Sequence, residues 1–191
     1  AAVVPAQAQG AYIKRATARE TYAASLAAAA SAATFGPWYV IGPFDSTGGA
    51  GFTAKYPPEE KVDLQAVYRG KGDREVRWQR GAFRDGEVNS LALFPDNENM
   101  AAYMFRTITV PDARELPVAL GSDDTLTVWL NGEQLLAHNV GRACLLGDER
   151  LTLKLRAGRN ELLLKVCQGG GPCGFAFAVD NGADQLLTRL A

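Results

Sequence analysis

The sequence is poor in the residues that most often carry catalysis. It has one histidine, His138, and three cysteines among 191 residues. A general base needs a nucleophile or an orienting partner within reach, and no motif around His138 supplies either. There is no GxSxG motif, and the glycine run 169–171 is not followed by a helix whose N-terminus would hold a phosphate. We therefore expect no catalytic residue in this chain.

An excess of positive charge is also missing. Lysine and arginine number 20 against 21 aspartates and glutamates, so the surface lacks the basic character that phosphate binding requires. No stretch approaches the ~20 apolar residues of a membrane span. We expect neither a nucleic-acid partner nor a membrane-spanning segment.

The three cysteines do not form a metal-binding pattern, because no CxxC pair or nearby histidine completes a site. An oxidising compartment would permit one disulfide. Cys167 and Cys173 are nearest in sequence, but strand alternation turns Cys167 outward and Cys173 inward. A bridge between Cys144 and Cys167 is the alternative, and the sequence leaves the choice open.

The first ten residues, AAVVPAQAQG, have the character of the end of an export signal. Ala6-Gln7-Ala8 matches the small-x-small pattern that a signal peptidase needs. We expect residues 1–8 to be the tail of a signal peptide and the protein to be secreted or periplasmic. The alternative is an alanine-rich leader without a targeting role.

Alanine dominates the next segment, from about Tyr12 to Ala33. Because alanine is the best helix former, residues 9–34 are expected to form an N-terminal α-helix. A linker of weak helicity is the alternative, since lone helices are marginal.

Beyond this segment, glycine and proline separate short runs of apolar and aromatic residues. Gly48-Gly49 and Pro57-Pro58 predict an irregular loop over residues 44–60. Roughly ten strands without βαβ alternation favour an antiparallel β-sandwich over residues 35–191. The predicted strands are Pro37–Ile41, Val62–Tyr68, Glu75–Gln79, Leu91–Phe94, Tyr103–Val110, Leu116–Leu120, Thr125–Leu130, Glu133–Ala137, Arg150–Leu155, Asn160–Cys167 and Cys173–Val179.

Alternation within the strands predicts which side chains share a face. Asn131-Gly132 is a strong hairpin signal between two of them. Thr127, Trp129 and Lys165 should project from the opposite side to the core. The core rows are Leu126, Val128 and Leu130; Leu162, Leu164 and Val166; and Phe175, Phe177 and Val179. Each such side chain contributes ~1.5–3 kcal/mol when fully buried, which could drive two sheets together.

Trp129 is the best candidate for a ligand platform, because both of its neighbours in the strand claim the inward face. Sugar rings stack on exposed aromatic faces while their hydroxyls seek polar partners. Asp123, Asn131 and Arg142 are expected to gather near this tryptophan and contact those hydroxyls. The alternative is that Trp129 belongs to the core, as most tryptophans in such folds do.

Asp123-Asp124 is a second candidate feature. Two adjacent carboxylates with nearby carbonyl groups could hold a structural calcium ion, which prefers oxygen ligands. The competing interpretation is a side-chain turn bond with both groups solvated. We include both aspartates among the candidate ligand-binding residues and expect no other metal or cofactor.

Two stretches resemble a known family. VWLNGEQLLAHNVG (128–141) and LTLKLRAGRNELLLKV (151–166) are similar to the sugar-binding jelly-roll domain of glycoside hydrolase family 2. That family has a Val-Trp-Leu-Asn-Gly hairpin, a following histidine and a Gly-x-Asn turn. The matching positions are Val128, Trp129, Leu130, Asn131, Gly132, His138, Gly158 and Asn160.

Residues 35–180, about three quarters of the chain, also resemble galactose-binding-like domains of large secreted planctomycete-type proteins. The shared motifs are WYxIGPF at Trp38–Phe44, LGSDD at Leu120–Asp124 and GGGPxGFxF at Gly169–Phe177. This resemblance implies a mostly β, galactose-binding-like jelly roll behind the N-terminal helix.

The resemblance further implies a non-catalytic, carbohydrate-binding accessory module of a larger exported protein. Its partner would be a polysaccharide or other glycan. The alternative is a structural or protein-interaction domain that buttresses neighbouring domains of its parent chain without binding sugar. A third hypothesis is that the chain is an enzyme. It would be favoured by two carboxylates in a cleft, one of them with a raised pKa.

Overall fold

The fold is described here from a computed structural model of the chain. The structure describes residues 32–180 and the isolated residues 21, 24, 25 and 28. The predicted signal-peptide tail, residues 1–8, lies outside the described residues, as do residues 181–191 and most of the predicted helix over residues 9–34. That helix stays a prediction, and its expected last residue, Thr34, already belongs to a strand.

The described part of the chain is mostly β, and its strands pair antiparallel. In chain order the strands are β1 (Thr34–Phe35), β2 (Tyr39–Asp45), β3 (Val67–Arg69), β4 (Glu75–Arg77), β5 (Gln79–Arg80), β6 (Val88–Ser90), β7 (Met100–Val110), β8 (Arg114–Asp123), β9 (Leu126–Leu130), β10 (Glu133–His138), β11 (Glu149–Leu155), β12 (Gly158–Gln168) and β13 (Gly174–Val179).

Two sheets dominate the described residues. The larger has the strand order β10-β9-β12-β7-β2-β5, with β1 also pairing with β7, and the smaller has the order β11-β8-β13-β6. Strands β3 and β4 form a separate two-stranded ribbon. Strands β7 and β12 pair along their whole length, from Val110–Gly158 to Met100–Gln168, and form the centre of the large sheet.

The facing sides of the two sheets bury one apolar core, which we call the inner core. Strands of the large sheet contribute Met104 and Ile108, and strands of the small sheet contribute Leu116 and Leu153. The three predicted apolar rows on β9, β12 and β13 all lie in or against this core, so their orientation is confirmed. Period-two alternation was sufficient for this prediction because every strand in the rows has one face towards the other sheet.

The opposite face of the large sheet is buried too, beneath a covering segment that we define as residues 46–78. Tyr103, Phe105 and Leu163 belong to this outer core, and Phe52 and Tyr56 of the covering segment pack on it. Thr127, Trp129 and Lys165 do project to this side as predicted, but all three are buried there. The large sheet is therefore covered on both faces.

Lys165 of the large sheet holds the covering segment in place. The Lys165 ammonium donates hydrogen bonds to the Ala54 carbonyl and to the Glu59 carboxylate, each over 2.7 Å. The Tyr103 hydroxyl donates to the same carboxylate. Burial of the phenol and the adjacent Glu59 charge raise the pKa of Tyr103, so this hydroxyl stays protonated. The ion pair between Lys165 and Glu59 therefore holds the covering segment on the outer core.

The prediction of an irregular loop over residues 44–60 was wrong in part. 3-10 turns occupy Thr47–Phe52 and are interrupted at Gly48 and Gly49, whose φ values are positive, and a short helix, α1, occupies Pro57–Glu60. Proline is favoured at the start of a helix, where its missing N–H would have no intrahelical partner, so Pro57 begins a helix here. None of the described helices is long and apolar enough to cross a membrane.

Two further predictions about elements have opposite outcomes. Asn131 and Gly132 have φ values of 53° and 81° and connect β9 to β10 in a tight turn, which confirms the hairpin. Leu91–Phe94 is not a strand, because pairing with β13 ends one residue earlier, at Ser90. Leu91 and Phe94 instead enter the inner core from an irregular segment.

All three cysteines are free thiols. Cys167 lies in the outer core and Cys173 in the inner core, as strand alternation predicted. Because the large sheet separates these two cores, neighbouring positions in sequence do not become neighbouring sulfur atoms. Neither of the two disulfides left open by the sequence is formed.

Candidate functional site

Three of the five candidate ligand-binding residues come together at one end of the sheets. Asp123 ends β8, Asp124 follows it, and Arg142 lies in the loop between β10 and β11. The Arg142 backbone N–H donates to Asp124 Oδ1 over 3.1 Å, and its Nη2 donates to Ser122 Oγ over 3.0 Å. The aspartate therefore holds the start of this loop against the end of β8.

The other two candidates lie at the opposite end of β9. Asn131 Nδ2 donates to Asn160 Oδ1 over 2.9 Å, and Asn131 Oδ1 accepts the Glu161 N–H over 3.0 Å. At the rise of an extended strand, Asp124 and Asn131 are roughly 23 Å apart along the chain. Of the three residues expected near Trp129, Asn131 does lie beside it, whereas Asp123 and Arg142 lie at the other end of β9.

Trp129 is not the open platform that was predicted. Its side chain points away from the inner core, but the covering segment leaves it only 8% exposed. Trp38 and Trp78 are buried as well. Trp129 lies on a cavity of about 330 Å³, which we call the Trp129 cavity. It is lined by Pro58, Glu59, Glu60, Lys61, Val62, Phe105, Trp129, Asn131, Gly132, Glu161 and Leu163.

A second cavity, which we call the Asp124 cavity, lies beside this cluster, and Asp124 is the one clustered candidate in its lining. Its volume is also about 330 Å³. It combines a carboxylate, two carboxamides and two hydroxyls with the backbone of three glycines. It is lined by Ser46, Gly49, Asp124, Thr125, Asn139, Val140, Gly141, Cys167, Gln168 and Gly169.

Gln168 is the unusual member of this cavity. The residue is 2% exposed, and its Nε2 donates to the Gly171 carbonyl over 2.8 Å. Its Oε1 is buried and accepts no hydrogen bond within the described part of the chain. A buried acceptor without a partner costs about 1–3 kcal/mol, so a hydroxyl or amide that reached Oε1 would be favoured.

The carboxylates in this region differ in their environments. Burial of the Asp123 carboxyl and the adjacent Asp124 charge raise the pKa of Asp123. Burial disfavours ionised Glu149, but hydrogen bonds from His138 and Arg142 outweigh it and lower its pKa. The Asp123 carboxyl is therefore more easily protonated than usual, whereas two hydrogen-bond donors keep Glu149 ionised.

His138 belongs to this second arrangement. Its Nδ1 lies 2.6 Å from Glu149 Oε1, and Arg142 Nη1 donates to the same oxygen over 2.8 Å. The imidazole is half exposed and bonds to the Glu149 carboxylate, and no hydroxyl or thiol is bonded to it among the described residues. This triad ties the loop to β11 and offers no activated nucleophile.

The thiols near the site are poor nucleophiles. Burial, followed by the charge of Asp148, raises the pKa of Cys144 to about 11. Burial, followed by the charge of Asp123, raises the pKa of Cys173 to about 12. Both therefore remain protonated near neutral pH, and thiol chemistry needs the thiolate.

No group of three or more His, Cys, Asp or Glu side chains is arranged to hold a metal ion in the part of the chain that the structure describes. Asp124 is already engaged, because its Oδ1 accepts the Arg142 N–H and its Oδ2 accepts the Gly169 N–H over 3.4 Å. Asp123 and Asp124 remain the only candidate calcium ligands that the sequence suggested.

Sequence reasoning missed Ser46, Asn139 and Gln168. A signal existed for the last of these. Strand alternation turns residues 162, 164 and 166 inward, and the same alternation places Gln168 next in that row. A glutamine at a buried position needs partners, so it marks a polar site. Ser46 and Asn139 lie in loops, and only the tertiary fold brings them to this cavity.

The chain was compared with known proteins. No protein-family model and no curated protein sequence matches it. A β-glucosidase from Kluyveromyces marxianus is similar over 74% of this chain and 16% of that chain, at 15% identity and a TM-score of 0.42. A family 35 carbohydrate-binding module from Clostridium thermocellum is similar over 48% of this chain and 85% of that chain, at 12% identity and a TM-score of 0.34.

The PA14 domain of the MpAFP antifreeze protein is similar over 44% of this chain, at 11% identity and a TM-score of 0.34. This chain spans 46% of that domain's length, and less than a fifth of the β-glucosidase. These scores are too low to establish a shared fold, so the architecture described above rests on the strands and cores of this chain alone.

Proposed function

We propose that this chain is a carbohydrate-binding domain whose ligand site is the Asp124 cavity. In this proposal the domain is a jelly-roll β-sandwich and a non-catalytic accessory module of a larger exported protein. The observation that carries the proposal is Gln168, a residue that lines a cavity rich in other polar groups and whose buried Oε1 lacks a partner in the described residues.

The chemistry of the cavity suits a sugar. Sugar hydroxyls both donate and accept, and the cavity offers acceptors on Asp124, mixed groups on Asn139 and Gln168, and hydroxyls on Ser46 and Thr125. Its volume lies at the lower end of the range of about 300–1,000 Å³ for small-molecule pockets, which suits one or two sugar rings. The loop that carries Asn139 is tied down by Arg142, so part of the site is preorganised.

The test is a glycan screen of the intact chain, followed by calorimetric titration of any glycan bound. Asn139→Ala removes an exposed amide from the Asp124 cavity without disturbing a core. We expect it to weaken binding at least about tenfold, equivalent to about 1.4 kcal/mol. The matched control is Glu60→Ala with Lys61→Ala, two exposed residues of the Trp129 cavity, which should leave affinity unchanged.

If the Glu60→Ala, Lys61→Ala variant loses affinity and Asn139→Ala does not, the sugar site is the Trp129 cavity, and the assignment to the Asp124 cavity is overturned. Binding of no plant, algal or bacterial polysaccharide would overturn the function itself. The same titration, repeated after chelation and after calcium is restored, tests the predicted ion at Asp123 and Asp124. Calcium-independent binding would leave these aspartates as hydrogen-bonding groups alone.

The second candidate function is a structural or protein-interaction domain. Two observations favour it: all three tryptophans are buried, and adjacent Leu145 and Leu146 are exposed, Leu145 by 64%. Apolar side chains grouped on a loop suit contact with a neighbouring domain. Oxidative footprinting of the exported parent protein should then show Leu145 protected relative to the isolated domain, together with no glycan binding.

A further inference from the structure

A third cavity, of about 460 Å³, shares no lining residue with either of the other two. It lies where β5 and the loop after it pass the start of β2 and the middle of β7. We call it the arginine cavity, because three of its lining residues are arginines. The residues that matter here are Trp38, Arg80, Phe83, Arg84, Asp85 and Arg106.

Positive charge exceeds negative charge in this cavity. Asp85 is the only acidic residue in its lining, and it is committed to Arg106, whose Nη1 lies 2.7 Å from both carboxylate oxygens. Arg84 has one acidic neighbour, Glu87, at 3.9 Å, and both side chains are exposed, so that pair is weak. Arg80 forms no ion pair with any described residue. Two guanidinium groups are therefore left to bind an anion.

The loop that carries Arg84 is fixed in place before any ligand arrives. Asn89 clamps the Arg84 backbone from both sides, accepting its N–H over 2.8 Å and donating to its carbonyl over 2.9 Å. The Gly81 N–H donates to the Trp38 carbonyl, and the Gly86 N–H donates to the Phe177 carbonyl. Four backbone contacts therefore hold residues 81–86, which lowers the entropic cost of binding.

Asp85 is engaged by two buried residues, Arg106 and Trp38, and not by the other arginines of the cavity. Its Oδ1 accepts the Trp38 indole N–H over 3.0 Å in addition to the Arg106 guanidinium. Arg106 in turn donates to the Gly36 carbonyl and lies within 4.8 Å of the ring centroids of Phe35 and Trp38. This network holds the Asp85 carboxylate, which is 38% exposed, in the cavity lining beside Arg106, so it does not neutralise Arg80 or Arg84.

From this arrangement we propose that the arginine cavity binds an oxyanion, a carboxylate or a sulfate ester, on a ligand of sugar size. Arginine suits both groups because its planar guanidinium donates two parallel hydrogen bonds to a pair of oxygens. Phe83 and Trp38 supply an apolar wall for the body of the ligand. This site is independent of the Asp124 cavity.

The test is titration of the full chain carrying Asn139→Ala, which weakens the proposed sugar site, with four probes: glucose, glucuronate, glucose 6-sulfate and inorganic sulfate. At least one of the three anionic probes should bind, and glucose should bind at least about tenfold more weakly. The anion that binds most tightly identifies the carboxylate or the sulfate as the source. Raising the ionic strength from about 0.05 M to about 0.5 M should weaken this binding, because partly exposed charges are screened.

The decisive variant is Arg80→Gln with Arg84→Gln, which should weaken anion binding at least about tenfold. Its matched control is Arg77→Gln with Arg159→Gln, two arginines with side chains more than 60% exposed and outside the cavity. Equal loss in both double variants, equal binding of glucose and glucuronate, or no binding of any anion would overturn the proposal. The sugar site is tested with neutral glycans and Asn139→Ala, so either proposal fails without the other.

Discussion

Two adjacent residues of β12 show how the two faces of the large sheet differ. Leu164 points into the inner core and Lys165 into the outer core, and both are fully buried. Leu164 is surrounded by apolar side chains from two sheets. Lys165 lies beneath the covering segment, where it meets the Ala54 carbonyl and the Glu59 carboxylate.

The difference follows from what covers each face. A sheet brings its own paired backbone, so the side chains between two sheets need only be apolar. An irregular segment brings unpaired carbonyl groups, and a buried donor must satisfy them. Arg106 supports this rule, because it donates to the Gly36 carbonyl where another irregular segment meets the edge of the inner core. The two buried cations among the described residues, Lys165 and Arg106, both lie where irregular chain packs on a sheet.

The largest effect is expected from Lys165→Met. The substitution keeps the length of the side chain but leaves the Glu59 carboxylate buried without its cation, which costs about 3–5 kcal/mol. Urea denaturation measures the loss. The exposed Lys154→Met on β11 is the matched control and should change stability by less than about 0.5 kcal/mol.

The double variant Glu59→Gln with Lys165→Met sharpens the comparison. Removing both charges should recover part of the stability that Lys165→Met loses, because no unpaired charge then remains buried. A double variant that is less stable than Lys165→Met would show that the ion pair is not what holds the covering segment.

A smaller effect is expected from Leu164→Ala, the neighbouring change on the inner face. It should lower the free energy of unfolding by about 3 kcal/mol, since it removes apolar contacts and leaves a cavity. Removing charge elsewhere should not recover this loss, because Leu164 belongs to the apolar inner core. Rescue of Leu164→Ala by Glu59→Gln would contradict the separation of the two cores.

The smallest effect is expected from Glu149→Gln, which tests the same rule at a carboxylate whose partner His138 is half exposed. Hydrogen bonds from His138 and Arg142 lower the pKa of folded Glu149 below its ordinary value of 4.5. Its ionised form therefore stabilises the fold above about pH 4.5, and this contribution is lost as the pH falls through the lower folded value.

The measurement is the urea midpoint of the unaltered protein and of Glu149→Gln, taken from about pH 7 to about pH 3. The difference in stability should be below about 1 kcal/mol at neutral pH and should shrink in acid. A difference that grows as the pH falls would mean that Glu149 is not held ionised in the folded protein.

Much of the fold could be predicted from local pattern. The rows on β9, β12 and β13 point to the inner core as alternation requires, and Asn131-Gly132 forms the expected hairpin. The second core could not be predicted, because Trp129 and Lys165 occupy positions that would be exposed in a sheet with one free face. Glycines and prolines in the covering segment pointed to a loop, and nothing local says that a loop packs over a sheet.

The candidate site divides in the same way. Asp123 and Asp124 were recognisable as adjacent carboxylates, and their distance from Asn131 follows from the length of β9. The approach of Arg142, Asn139 and Ser46 to Asp124 depends on two loops that return from other strands. The arginine cavity is beyond sequence reasoning, because Arg80 and Arg106 are far apart in the chain.

The sequence by itself determined the antiparallel strands, their inward faces and the turn between β9 and β10. These features depend on side-chain alternation and on backbone preferences of single residues, which act over a few positions. Tertiary structure alone decided that both faces of the large sheet are buried and which polar groups share a cavity. Those outcomes depend on contacts between distant segments, whose charges and unpaired backbone groups must be satisfied together.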